Sequence, residues 1–230
     1  MCRDASTGER GQGMMRKILQ GSAMLCMLVW TGPMLAAAQD LPKPEEVIES
    51  VVDQSVDALL DNREAIAEDH RVAAGLIDDI LGPHVHYELM TRLILGRHVR
   101  EASDEQIERF IKAFRESTVR TYARMLSDNV DTVVRLIEDN GKVVDIMAAG
   151  EPDDRGRVTV RTQVQTDTSP VPVNYRMIAT DEGWLVYDVV IENISFVTNY
   201  REEYGSEIRR GGIDRLITRL EERNRQAGGN

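Results

Sequence analysis

The chain has 230 residues, 28 basic and 39 acidic, for a net charge of −11, with two cysteines and 42% hydrophobic residues. That length is one large domain or two small ones, and the ordinary mix of charged and apolar residues excludes wholesale disorder. The acid excess argues against broad nucleic-acid binding, which needs clustered Lys and Arg; two cysteines exclude a disulfide-dense scaffold and a four-cysteine zinc site.

The first 38 residues read as a cleaved signal peptide. Met15-Arg16-Lys17 is a basic start, Ile18 to Leu35 is mostly apolar, and Ala36-Ala37-Ala38 is a small-residue cleavage site. Gln20, Gly21, Ser22, Thr31, Gly32 and Pro33 dilute the apolar run, which disfavours an uncleaved anchor. Leu25 is too bulky to precede a lipidated Cys26. The first thirteen residues read as an extension, with Met14 or Met15 as the start. Removing residues 1–38 takes away four basic and two acidic residues and both cysteines. The remaining 192 residues carry a charge of −13 and no thiol chemistry.

Helical periodicity comes next. Pro44-Glu45-Glu46 opens a helix striped by Ile48, Val51, Val52, Ser55 and Leu59. A second helix is expected over Arg71–Leu81, ended by Gly82-Pro83, and a third over His86–Leu95, ended by Gly96. Ser103 and Gln106 form a capping box for a fourth, whose apolar positions recur through Phe110, Phe114, Tyr122 and Met125 and which is expected to end near Ser127.

From Val130 the period becomes two. Val130–Ile137 and Lys142–Met147 flank Asn140-Gly141 and predict a hairpin. Further strands are expected at Val158–Val164 and Val173–Met177, and at Trp184–Ile191, which should be the most buried. A short amphipathic helix is expected after Gly211-Gly212. The pattern is one α+β domain with an antiparallel sheet, spanning residues 39–230.

Motifs for chemistry are few. No phosphate loop, nucleophile elbow or zinc-protease helix occurs. His84 and His86 point to different faces and lack a third ligand, so they read as surface histidines. Asp188 sits in an apolar strand, either as a desolvated base or as a hydrogen-bond acceptor on the sheet's other face. Arg209-Arg210 reads as solvated surface. Phe110, Phe114, Tyr122 and Met125 line either a ligand cavity or, as periodicity favours, a filled core.

Two blocks carry a resemblance. One runs from Leu76-Ile77-Asp78-Asp79-Ile80-Leu81-Gly82-Pro83 to the helix with Phe110-x3-Phe114-Arg115. The other runs from Trp184-x2-Tyr187-Asp188-Val189 through Asn193-Ile194-Ser195 to Gly212-Ile213-Asp214-x-Leu216. Together they resemble the MlaC, or toluene-tolerance, family of periplasmic phospholipid-binding proteins. Gly96-Arg97-His98-Val99 departs from the family, which often has aromatics after the glycine. The resemblance implies an NTF2-like curved antiparallel sheet with helices enclosing a deep apolar cavity. It implies a non-enzymatic carrier that holds phospholipid as cargo and needs no cofactor or metal. Its partners would be an outer-membrane lipoprotein complex and the periplasmic substrate-binding ring of an inner-membrane ABC transporter, and its role the maintenance of outer-membrane lipid asymmetry. The expected lipid-binding residues are Val160, Val164, Tyr175, Met177, Tyr187, Val189 and Ile194 on the sheet side, and Leu93, Leu95, Phe110 and Phe114 on the helix side. An enzyme on the same cavity and a structural adaptor are the alternatives.

Overall fold

A computed structural model describes residues 41–228; the expected signal peptide lies outside them. Six helices and five strands follow in the order α1 (Pro44–Asp61), α2 (Arg63–Glu68), α3 (His70–Ile80), α4 (Tyr87–Leu95), α5 (Asp104–Asn140), β1 (Val144–Ile146), β2 (Arg157–Val164), β3 (Val171–Thr180), β4 (Gly183–Ile191), β5 (Ile194–Ser195) and α6 (Phe196–Gly228). Short 3₁₀ turns at Gly82–His84 and Gly96–Arg100 flank α4.

Local chemistry starts the helices as expected. Pro44 stands in the first turn of α1, where its missing N–H costs nothing, and the Glu46 carboxylate accepts from the Lys43 N–H at 3.2 Å. At α5 the Ser103 hydroxyl accepts from the Gln106 N–H while the Gln106 side chain accepts from the Ser103 N–H.

The predicted hairpin at Asn140-Gly141 does not form. The α5 helix takes up the first expected strand and runs 37 residues to Asn140, about 55 Å at 1.5 Å per residue. Val130, Val134 and Ile137 are spaced four and three apart and are all buried, so a helical stripe wins over the alternation of the same segment. Gly141 has φ +68 and donates its N–H to the Ile137 carbonyl, which makes it a helix C-cap rather than a turn. Only the second expected strand survives, as the three-residue β1. The α2 helix was not foreseen. The last helix was expected to begin after Gly211-Gly212, and a helical stretch does begin there: Gly212 (φ 79, ψ 167) is non-helical and divides α6 in two, and the stretch before it, from Phe196, was not expected.

The sheet is antiparallel throughout, in the order β1-β2-β3-β4-β5, so each strand pairs with its sequence neighbour. A register shift between Arg176 and Met177, paired with Asp188 and Val186, leaves Tyr187 as a bulge in β4, and bulges bend strands. Burial in β4 alternates: Trp184, Val186, Asp188 and Val190 are buried and their neighbours only partly so, so the strand is not sunk on both faces as expected.

Three apolar clusters hold these elements. The first joins α4, the N-terminal half of α5 and α6 through Ile94, Leu95, Phe110, Phe114, Tyr204 and Leu216. The second joins α1, α2, α3 and the C-terminal half of α5 through Leu59, Ile66, Ala73, Ala123 and Val134. The third packs Ile48 of α1 on Val158, Val160, Met177, Trp184 and Val186 of the sheet. The α5 helix is thus common to two clusters, and α1 ties the helices to the sheet.

Candidate functional site

An apolar depression of about 640 Å³ lies between α1, α3 and α5, with α2 at one edge. Ser55, Ala58 and Leu59 supply one wall, and Leu76, Ile77, Ile80 and Leu81 a second. Tyr122, Met125, Leu126, Asn129 and Val133 of α5 supply the third, with Ile66 of α2 beside them. The size falls within the range of about 300–1,000 Å³ typical of small-molecule sites.

The lining carries no charge. Its two small polar side chains are spent on their own helices: the Ser55 hydroxyl donates to the Val51 carbonyl at 2.7 Å, and the Asn129 amide to the Met125 carbonyl at 2.8 Å. Tyr122 lies with its ring 6.3 Å from Phe196, and burial pushes its phenol pKa up. Nothing in the groove is arranged to stabilise a charge or attack a bond. It is suited to an apolar ligand, whose transfer from water is favourable by about 0.8 kcal/mol per methylene.

Exposure divides the four residues first grouped in α5. Phe110 and Phe114 have no exposed surface; their rings stack 5.8 Å apart and Tyr204 meets both edge-on. They are filled core. Tyr122 and Met125, 39% and 56% exposed, line the groove. Leu95 is buried in the first cluster, and Leu93 packs against it.

The sheet-side expectations fall mostly on one face. Register sets Val160 beside Tyr175, Val164 beside Val171, and Tyr175 beside Val189. Val160 and Met177 are buried in the third cluster with Tyr175 and Val189 against it, and burial raises the Tyr175 phenol pKa. Tyr187 stands apart, because the bulge turns it away: its ring lies under the Arg157 guanidinium, 5.3 Å away, on the opposite face. Ile194 is 66% exposed at the start of β5, paired with Ile191 of β4 across a turn in which Glu192 and Asn193 both have positive φ.

Apart from Tyr187 and Ile194, the expected residues therefore occupy the apolar sheet face and the first cluster, and none of them lines the α1–α3–α5 groove. The residues that do line it were partly visible as helix stripes, notably Ser55 and Leu59 in the first helix and Tyr122 and Met125 in the fourth. A stripe shows that a face is apolar, not whether another side chain fills the space before it.

The remaining candidates are accounted for. Asp188, 2% exposed, accepts from Ser195 Oγ at 2.7 Å, from the Val197 N–H at 3.0 Å and from Arg176 at 3.0 Å. It is the hydrogen-bond acceptor that pins the start of α6 to the sheet. The His86 imidazole caps α4, accepting from the Leu89 N–H at 3.4 Å. Among the described residues no three His, Cys, Asp or Glu side chains converge as metal ligands.

The MlaC protein family model matches residues 49–222, three quarters of the chain. The chain belongs to the MlaC family. It is 22% identical over 183 residues to the intermembrane phospholipid transport system binding protein MlaC of Haemophilus influenzae, covering 78% of this chain and 81% of that one. It is 24% identical over 192 residues to the toluene tolerance protein Ttg2D of Pseudomonas putida, with 83% of each covered. Among solved structures, a phospholipid-binding protein from Ralstonia solanacearum, in complex with a phospholipid, superposes with a TM-score of 0.67 at 23% identity over 81% of this chain and 99% of that one. The fold is therefore that of the family: helices around a curved antiparallel sheet. At this identity the likeness speaks for the fold alone.

Proposed function

We propose that the protein is a phospholipid carrier of the periplasm. The observation that carries this reading is the uncharged groove between α1, α3 and α5, whose polar side chains are tied back to their own backbone. Membership of the MlaC family, and the likeness to a phospholipid transport system binding protein and to a phospholipid-bound structure, support the same reading. So does the basic-apolar-small order of residues 15–38, the pattern of an export signal cleaved after Ala38.

The physical need is clear. Two acyl chains of about 30 methylenes in total would cost on the order of 24 kcal/mol to expose to water at about 0.8 each. A groove as apolar as the bilayer makes transfer nearly neutral, so cargo can be loaded and released. Direction must then come from partners: an outer-membrane lipoprotein complex at one end and the substrate-binding ring of an ABC transporter at the other. A lining without charges also predicts weak headgroup selection. The sheet face of Val160, Val164, Tyr175, Met177 and Val189, rimmed by Ile194, is the second apolar surface that cargo would meet. Asp188, fully engaged in hydrogen bonds, gives no free acid for catalysis, which favours a carrier over an enzyme.

Native mass spectrometry of the purified exported protein tests the reading. Co-purified phospholipid, or uptake from vesicles, is the expected result; a protein that stays empty under both conditions overturns it.

A further inference from the structure

A second depression, of about 150 Å³, lies between α5 and the last turns of α6, with the first residue of α3 at its rim. It has a different chemistry. His70, Ser117, Arg120, Thr121, Arg124, Arg223, Asn224 and Ala227 surround it, with three arginines and no carboxylate. On a chain with 39 acidic residues and 28 basic ones, this is a local reversal of charge. Like charges brought together repel, so the arrangement has a cost that an anion would remove.

The hydrogen bonds sharpen the point. The Asn224 amide donates to the Ala113 carbonyl at 2.9 Å and to Glu116 Oε2, an acid on the neighbouring cleft, at 3.3 Å. Ala113 is the i−4 carbonyl that the Ser117 hydroxyl, in mid-helix, would ordinarily take. Ser117 is only 9% exposed, and its hydroxyl has no hydrogen-bond partner among the described residues. It is a donor left over on the wall of a cationic cavity. Arg120 donates to the Asn224 carbonyl, which accounts for one guanidinium at the negative end of α6. Arg124 and Arg223 make no ion pair among the described residues.

We propose that this cleft binds a phosphate group, either on a small phosphate monoester or in a lipid headgroup. Guanidinium forks match phosphate oxygens two at a time, and the Ser117 hydroxyl supplies a further donor. At about 30 Å³ per water, the cleft holds about five waters: ample for a phosphate and far too small for acyl chains. It is separate from the groove. At 3.6 residues per turn, Ser117, Arg120, Thr121 and Arg124 lie roughly 150° around α5 from Tyr122, Met125, Leu126, Asn129 and Val133. A lipid whose chains fill the groove does not reach it with its own phosphate.

The test is an NMR titration of the exported protein with inorganic phosphate against sodium chloride at matched ionic strength. The expected result is a saturating shift of the Ser117, Thr121, Asn224 and Ala227 amides with phosphate only. The double variant Arg124→Gln/Arg223→Gln alters two exposed side chains and should weaken binding by about tenfold or more while leaving phospholipid uptake intact. Ser117→Ala should weaken it less. Glycerol 3-phosphate and phosphatidylcholine vesicles doped with phosphatidic acid separate the sources. Vesicle binding lost in the double variant assigns the headgroup; glycerol phosphate binding without vesicle binding assigns a soluble ester. Equal shifts with phosphate and chloride, or a double variant that binds phosphate within about twofold of the parent, overturn the proposal. Because uptake is read separately, failure here leaves the carrier reading untouched.

Discussion

Met125→Glu places a charge where the groove meets solvent. Met125 is 56% exposed and contributes no core packing, so the unliganded fold should change by no more than about 0.5 kcal/mol. The bound state differs. The carboxylate displaces about two methylenes' worth of acyl contact, about 1.6 kcal/mol at 0.8 each. Partial desolvation of the charge adds a similar amount, since full burial would cost several kcal/mol. The total is about 3 kcal/mol, roughly a hundred-fold in Kd. Native mass spectra should therefore show the variant largely empty beside a loaded parent, vesicle uptake should fall in proportion, and Met125→Leu should keep its lipid. A Met125→Glu protein with the parent's melting curve and the parent's lipid load would remove the groove from the site.

The same spectra separate the two apolar surfaces: Ile194→Glu, at a position 66% exposed, should keep the fold and lose lipid, and an unchanged load would exclude the sheet rim. Asp188→Asn should lower stability by about 2–4 kcal/mol, because Arg176 and the start of α6 lose a charged acceptor; a urea midpoint within error of the parent would contradict that role. The Asp69 carboxyl, which caps α3 and accepts from Arg71, is held by that guanidinium at about 2, below the ordinary 3.8. Its contribution is therefore present above about pH 4 and lost as pH falls toward 2. Asp69→Ala should remove this step from acid titrations followed by circular dichroism; an identical acid limb in the variant would refute it.

Much of the fold was legible because local chemistry and global structure agreed. The capping box at Ser103 and Gln106, the proline start of α1, and the turn at Asp181-Glu182-Gly183 each did what its residues dictate. The error at Val130–Ile137 arose because β-branched residues at spacings of two also satisfied spacings of four and three, and tertiary burial chose between them. Asn140-Gly141 compounded it, since glycine at positive φ ends a helix as readily as it turns a hairpin. The Gly211-Gly212 pair was read correctly as a helix boundary, since Gly212 interrupts the helical geometry of α6, while the helical stretch before it, from Phe196, was not read. The groove was less legible. Tyr122 and Phe114 belong to one helical pattern, yet one meets solvent and the other is enclosed by α6, and a helix's own sequence does not state which neighbour covers it.

The strand order β1-β2-β3-β4-β5 bears on how the molecule assembles. Every pairing in the sheet closes between neighbours, across connections as short as Asp181-Glu182. The contacts that seat α6 on α5, Arg109 with Glu221 and Ala113 with Asn224, close loops of 112 and 111 residues. By chain entropy a loop of that length costs about 2.6 kcal/mol more to close than one of six residues. The sheet thus has a head start, and the cationic cleft, built from both α5 and α6, exists only once the chain's last helix has docked. A chain stalled before that step would already hold its paired sheet while still lacking the cationic cleft.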